Sequence, residues 1–327
     1  MTWLVTGGAG YIGSHVVRAF GDAGIGAVVL DDLSSGHREF VEGSVPLVEG
    51  SVLDGALVER ALREHDVTGV VHLAGFKYAG VSVRRPLHTY AQNVQGTATL
   101  LAAMDAVGVP AIVFSSSAAV YGTPEGDIVT EDSSTHPASP YGESKLVAEW
   151  VIRDVATARA LDGGRLAFTA LRYFNVVGSG APDLYDTRPH NLFPLVLKAL
   201  TEGRTPRING VDYATPDGTC VRDYVHVQDL ALAHVEAARV LADGRGLAPA
   251  YNLGSGDGLS VRQIMDSVAR VTGVRFEPEI GPRRPGDPDR IVASRELAAA
   301  DLGWQMRHDL DDMVATAWRA WQSSQQA

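Results

Sequence analysis

The sequence predicts an α/β fold, a doubly wound parallel sheet joined to a smaller α/β substrate-binding C-terminal domain. Three observations carry this. Short apolar runs ending in Gly or polar residues alternate with amphipathic stretches long enough to cross over a sheet. A Gly-rich turn follows the first apolar run directly. The alternation then loosens after Phe174, where Gly178-Ser179-Gly180, several prolines and the loop-like Asp212–Gly218 accumulate. With 45% apolar residues among 327, the chain can bury one large core or two modest ones.

In order, the strands are expected at Thr2–Thr6, Ala27–Leu30, Val45–Val48, Val67–Ala74, Ala111–Ser116, Ala167–Tyr173 and Tyr224–Val227. Helical patterns fall at about Tyr11–Ala23, Asp54–His65, Pro86–Val107 and Tyr141–Ala160, each suited to connect parallel strands. Residues 1–175 form the first domain, with its sheet completed by about 219–249; 176–218 and 250–327 form the second, which is therefore discontinuous. No internal repeat, heptad pattern or low-complexity tract argues for a structural array.

Charge narrows the partners. The net charge of −11 leaves no basic stripe for a nucleic-acid backbone or an anionic membrane, so neither is an expected partner. A lone cysteine, Cys220, excludes an internal disulfide and a Cys-rich metal cluster, which fits a reducing compartment. The start lacks a basic segment and cleavage site, and the apolar runs are too short to span a bilayer. The expectation is a soluble, cytoplasmic chain.

Thr6-Gly7-Gly8-Ala9-Gly10-Tyr11-Ile12-Gly13 lies between the first strand and the first helix. Glycines there permit a tight turn, let backbone N–H groups approach a pyrophosphate and allow close helix–strand packing, while the helix N-terminus favours an anion. A Gly-rich match alone is weak. Here the next strand ends in Asp31-Asp32, roughly 20 residues on, where a carboxylate can accept from an adenosine ribose hydroxyl. Together these make the sheet Rossmann-type and favour NAD over NADP, although His37 and Arg38 could meet a 2′-phosphate.

Pro140-Tyr141-Gly142-Glu143-Ser144-Lys145 opens a helix, with Ser139 as N-cap and Pro140 at its first position. Tyr141 and Lys145 are then neighbours on one face. A nearby ammonium and a cationic nicotinamide both favour the phenolate of a Tyr whose unperturbed pKa is about 10, and such a phenolate can take a proton from a sugar hydroxyl. Phe114-Ser115-Ser116-Ser117-Ala118-Ala119 places hydroxyls at the carboxyl end of the fifth strand, where Ser117 can complete the proton-handling group.

These residues resemble the extended short-chain dehydrogenase/reductase family and, within it, the UDP-glucose 4-epimerases. The resemblance runs nearly end to end, through TGGAGYIGSH, HLAGFKYAGVSV, NVQGT, FSSSAAVYG, SPYGESKLVAE, LRYFNVVG, DGTCVRDYVHVQDLA, YNLGSG and PRRPGD. It implies Tyr141 as base and acid, Lys145 as the residue that orients the nicotinamide ribose and lowers the Tyr pKa, and Ser117 as a partner of the sugar O4. It implies an NAD site of Gly7, Gly10, Tyr11, Ile12, Gly13, Asp31, Asp32, Ser51, Val52, Leu73, Ala74, Gly75, Lys77, Asn93, Ser115, Tyr141, Lys145 and Phe174. A UDP-sugar site is implied at Ser117, Tyr141, Asn175, Asn191, Leu192, Arg222, Arg284, Asp287 and Ile291, the two arginines offering planar donor forks to a diphosphate. Ile291 falls where the family gates sugar size, and a homodimer through Pro86–Val107 and Tyr141–Ala160 is implied. In two places the sequence departs from the pattern: Ser51 stands for the usual Asp at the adenine, and Val176 for the commoner proline after Phe-Asn.

The reaction so implied is 4-epimerisation of a UDP-hexose through a bound 4-keto sugar, with NAD regenerated in each turnover. A UDP-N-acetylhexosamine, uronate or pentose is an alternative substrate. A nucleotide-sugar dehydratase is disfavoured, because Ala118 and Ala119 occupy the positions where such enzymes carry Asp-Glu. A non-catalytic NAD-binding sensor is disfavoured by the joint presence of Ser117, Tyr141 and Lys145.

Overall fold

A computed structural model describes residues 1–124, 126, 128–186, 191–284 and 287–325. Its centre is a parallel sheet of seven strands: β1 (Thr2–Thr6), β2 (Gly26–Asp31), β3 (Leu47–Glu49), β4 (Val67–His72), β5 (Ala111–Ser117), β6 (Ala167–Tyr173) and β7 (Ala250–Leu253). Their spatial order is β7-β6-β5-β4-β1-β2-β3. The winding reverses between β1 and β4, which opens a crevice at the carboxyl ends of those strands.

Helices cover both faces. On one, α1 (Tyr11–Asp22) and α5 (Val227–Ala242) bury Val16, Phe20, Leu230 and Val235 against Val5, Val29 and Val113. On the other, α2 (Gly55–Glu64), α3 (Gly96–Val107) and α4 (Pro140–Leu161) bury Val58, Leu62, Leu100 and Ile152 against Leu4, Val70 and Ile112. A sheet covered twice needs strands apolar on both sides, which is why they read as continuous hydrophobic runs.

Two elements differ from the sequence expectation. Tyr224–His226 does not enter the large sheet; it pairs in parallel with Asn175–Val177, and β7 takes the seventh place beside β6. Both are short buried apolar segments, and periodicity alone cannot say which ladder a short run joins. The deciding feature is α5, which starts at Val227 immediately after the small strand, with His226 Nδ1 accepting from Gln228 N–H at 3.1 Å, and delivers the chain to β7. The Pro86–Val107 stretch is also interrupted. It runs as a helix at Pro86–Tyr90, a π turn at Ala91–Gln95, and then α3.

The chain beyond the large sheet builds its own core from Val177, Phe193, Val196, Tyr224, Ile264, Val268, Met313 and Val314. Leu259–Ser260, Val221–Arg222, Arg290–Ala293 and Ile128–Val129 form a four-stranded sheet there, and Arg207–Asn209 pairs with Glu279–Gly281. Among the described residues no helix is long and apolar enough to cross a membrane.

Candidate active site

The groove at the switch point begins with the Gly-rich turn. Gly7 has φ +74°, and a Cβ there would lie 2.7 Å from Ala74 N; one on Gly13 would lie 2.1 Å from Gly7 O. Only glycine allows α1 to start this close to β1 and β4. The first turn of α1 has no side-chain cap and no acidic residue, so its N–H groups and positive end are available to an anionic ligand. A backbone cradle that a Cβ would fill, at an uncapped helix start, fits a dinucleotide pyrophosphate.

One groove gathers nearly all the residues expected around that ligand: Gly7, Gly10, Tyr11, Ile12, Gly13, Asp31, Asp32, Ser51, Val52, Leu73, Ala74, Gly75, Lys77, Ser115, Tyr141 and Lys145. Asp31 is buried and its carboxylate accepts from Ala9 N–H at 3.0 Å and Leu33 N–H at 2.9 Å, tying β2 to the Gly-rich turn. Burial raises its pKa despite those bonds. Asp32 is exposed and accepts from Ser34 N–H at 2.9 Å. Arg38 pairs with Glu49, and His37 lies 3.2 Å from Glu39. Both side chains that could have met a 2′-phosphate thus face carboxylates.

Asn93 and Phe174 do not line this groove. Asn93 sits behind it on the π turn, accepting from Phe76 N–H at 2.6 Å and donating to Phe76 O at 3.0 Å and Ser144 Oγ at 2.8 Å. Ser144 Oγ in turn donates to Tyr141 O at 2.7 Å, and Tyr141 N–H donates to Ser82 Oγ at 3.1 Å. The backbone of Tyr141 is thereby held on both sides. Phe174 packs instead with Ile291 against Val120, Tyr121, Val129 and Leu146.

At the inner end of the groove, Ser139 caps α4 by accepting from Gly142 N–H at 3.3 Å, with Pro140 in the first turn. A Cβ on Gly142 would meet Ala119 O at 2.4 Å, so α4 starts against the short turn Ala118–Val120 that follows Ser117. This contact brings Tyr141 to Ser117. Burial raises the Tyr141 pKa, and the opposing influence is a hydrogen bond to Ser117. The ammonium of Lys145 donates to Ser115 O at 2.7 Å and lies 4.9 Å from the Phe114 ring centroid. Burial lowers its pKa to about 8, against the charge of Glu149. The Tyr141 pKa is therefore raised and not depressed as expected from Lys145; the opposing influence comes from Ser117, and the Lys145 ammonium is turned toward β5.

A second groove collects Asn175, Asn191, Leu192, Arg222, Arg284 and Asp287. Arg222 donates to Val221 O at 2.7 Å and Pro288 O at 2.6 Å and pairs with Asp287, which also accepts from Tyr213 OH at 3.1 Å. Asn175 donates to Asp223 O at 2.8 Å. Pro285 and Gly286 of the PRRPGD segment lie outside the described residues. Ile291 is half-buried and sits opposite Arg222 in the parallel ladder. Tyr173, the last residue of β6, lines the first groove, and Asn175, which opens the next short strand, lines the second.

Sequence reasoning passed over several residues. Tyr173 is buried, hydrogen-bonds Ser115 Oγ and lines the first groove; its place at the carboxyl end of β6, two residues before Asn175, was the available signal. Arg207, Asn209 and Cys220 line the second groove from short strands and a loop that carry no periodic pattern. Glu149, on the Tyr141 and Lys145 face of α4 at a spacing of four, was legible as a neighbour of Lys145.

Comparison with known proteins agrees with this arrangement. Residues 3–254 match the model of the NAD dependent epimerase/dehydratase family. The chain is 44% identical over 325 residues to the UDP-glucose 4-epimerase of Azospirillum brasilense, covering 98% of this chain and 92% of that one. It is 42% identical over 329 residues to the UDP-glucose 4-epimerase of Lactobacillus helveticus, covering 99% and 98%. The crystal structure of UDP-glucose-4-epimerase from Stenotrophomonas maltophila, with bound NAD and formylated UDP-arabinopyranose, superposes with a TM-score of 0.94 at 39% identity, covering 100% of both chains. With a glycine cradle at the switch point, Tyr141 and Lys145 in the same groove and Ser117 hydrogen-bonded to Tyr141, this chain belongs to the NAD dependent epimerase/dehydratase family.

Proposed function

We propose that the chain inverts C4 of a UDP-hexose, interconverting UDP-glucose and UDP-galactose with NAD as resident cofactor. The observation that carries this is the presence of two grooves lined by chain neighbours Tyr173 and Asn175, one holding Tyr141 and Lys145, the other Arg222 and Arg284. Bound NAD supplies the two-electron acceptor that oxidation at C4 needs and returns the electrons within the turnover. The first-turn amides of α1 would hold its pyrophosphate, a carboxylate of Asp31-Asp32 its adenosine ribose, and Lys145 its nicotinamide ribose. Tyr141 accepts the proton of the sugar 4-hydroxyl while Ser117 bonds the same oxygen. The resulting 4-keto sugar turns over while the arginines hold the diphosphate, and Tyr141 returns the proton to O4.

Ala118 and Ala119 present methyl groups beside Ser117, which favours epimerisation over dehydration. The UDP-sugar-binding part is drawn from 175–226 and from the chain after 250, since Arg222 lines the second groove and Val221–Arg222 and Tyr224–His226 lie in the smaller sheets. A homodimer through Pro86–Val107 and Tyr141–Ala160 fits the exposure of Leu87 and Trp150 on those segments. A cytoplasmic location fits the lone Cys220. Product analysis after incubation with UDP-galactose tests the reading: UDP-glucose formed without free NADH supports it. No sugar conversion, or NADH accumulating in step with substrate, overturns it.

A further inference from the structure

Beneath the catalytic face lies a buried polar assembly that the proposed mechanism does not use. Glu149 and Arg172 are both nearly excluded from solvent, with side-chain exposures of 11% and 9%. Arg172 donates from Nε at 3.0 Å and from Nη2 at 2.6 Å to the two carboxylate oxygens, and Ser116 Oγ donates to the same carboxylate. The other end of the guanidinium donates to Tyr121 OH at 2.9 Å, which donates to Asn252 Oδ1 at 2.8 Å. Ser116 sits between Ser115, whose carbonyl receives the Lys145 ammonium, and Ser117. Glu149 is therefore one helical turn from Lys145 and bonded to the strand that Lys145 touches.

Resting on the epimerase reading, we propose that Glu149 is a positioning residue whose negative charge keeps Lys145 protonated at the pH of turnover, while Arg172 holds that carboxylate away from Lys145. The surroundings of the ammonium show why a counter-charge is needed. From β4 comes His72, which is neutral, bonding Thr6 Oγ1 at 2.7 Å and Thr97 Oγ1 at 3.1 Å. From β5 come the Phe114 ring and the Ser115 carbonyl, from β6 the hydroxyl of Tyr173, and from its own helix Tyr141. Along the same groove stand Asp31, Asp32, Lys77, Arg85 and His88, and Glu143 is bonded to Tyr90. Glu149 is the carboxylate that raises the Lys145 pKa against burial. Engaged by three donors from Arg172 and Ser116, it exerts its charge without drawing the ammonium into a direct pair, so that Lys145 stays at the groove with its ammonium on Ser115 O.

The test uses the holoenzyme and three variants. Glu149→Gln keeps the shape and some of the hydrogen bonds but removes the charge; because it leaves Arg172 buried without a counter-ion, Glu149→Gln/Arg172→Gln serves if it folds poorly. Arg172→Gln removes the bridge and keeps the carboxylate. Two readouts are taken, the alkaline limb of kcat/KM for UDP-galactose and the pH dependence of trace acetylation at Lys145 by mass spectrometry. We expect both to move down by roughly half to one pH unit in the single and double Glu149 variants, and not downward in Arg172→Gln. If Arg172→Gln and Glu149→Gln shift alike, the pair is only a brace and the proposal fails; it also fails if no variant shifts. A wild type inactive on UDP-galactose would instead overturn the epimerase reading, and the acetylation profile would still judge this one.

Discussion

The dinucleotide groove is built largely of backbone placed by glycines on a regular sheet, whereas the second groove is built of side chains held by other side chains. Gly7 and Gly13 shape the first through contacts that no Cβ would tolerate. Arg222 is shaped by Asp287, and Asp287 by Tyr213. Backbone cradles tolerate few substitutions but need no partner residues. Side-chain cradles depend on networks, and loosen when any one member is lost. The proton-handling group stands between them, on a helix start fixed from both sides.

That contrast can be broken most sharply at the junction. Tyr141→Phe should lower turnover by several orders of magnitude while bound NAD is retained, because only the proton-accepting oxygen is removed. Near-normal turnover would end the assignment. In the backbone-built groove, Gly13→Ala pushes a methyl into Gly7 O and should weaken NAD retention at least about tenfold, measured as cofactor carried through gel filtration. Unaltered retention would show that the turn can relax.

The side-chain groove should respond more gently. Asp287→Asn removes the charge that holds Arg222, worth about 1.5–3 kcal/mol, so KM for UDP-galactose should rise roughly tenfold with little change in kcat and none in NAD content. A fall in kcat alone would argue that Asp287 acts elsewhere. Ile291, packed beside Phe174, should grade sugar size within about 1–3 kcal/mol. The kcat/KM ratio for UDP-N-acetylglucosamine against UDP-glucose should drop in Ile291→Tyr and rise in Ile291→Ala; a flat series removes it as gate. The smallest effect is expected at Ser51, whose hydroxyl accepts from Leu53 N–H at 3.2 Å. Ser51→Asp should hold NAD slightly longer through dialysis, and a faster loss would contradict the idea.

The same contrast governs what could be read from the sequence. A cradle set by strand, glycines and a following acid leaves a local pattern, so Gly7, Gly13 and Asp31 were legible from spacing, and Tyr141 and Lys145 from one helical turn. Arg222, Asn191 and Asp287 come from separate segments with no shared period, and only the family resemblance brought them together. Tyr224–His226 was legible as a strand and misplaced in its sheet, since a three-residue apolar run carries no address. Asn93, expected at the cofactor, does not line the groove and braces Phe76 and Ser144 from the π turn, a placement that residue type alone does not reveal.

The position of β7 has a consequence for how the protein is made. Residues 250–253 pair with 170–173, so the large sheet closes only after some eighty intervening residues have been synthesised and α5 has crossed its face. Until then β6 presents an unpaired edge of seven residues, with the hydroxyl of Tyr121 and the guanidinium of Arg172 lacking the Asn252 that completes their chain. Edges of that kind recruit other strands. While that edge is open it is a surface for misassociation, and what covers it is the non-local docking of a four-residue strand.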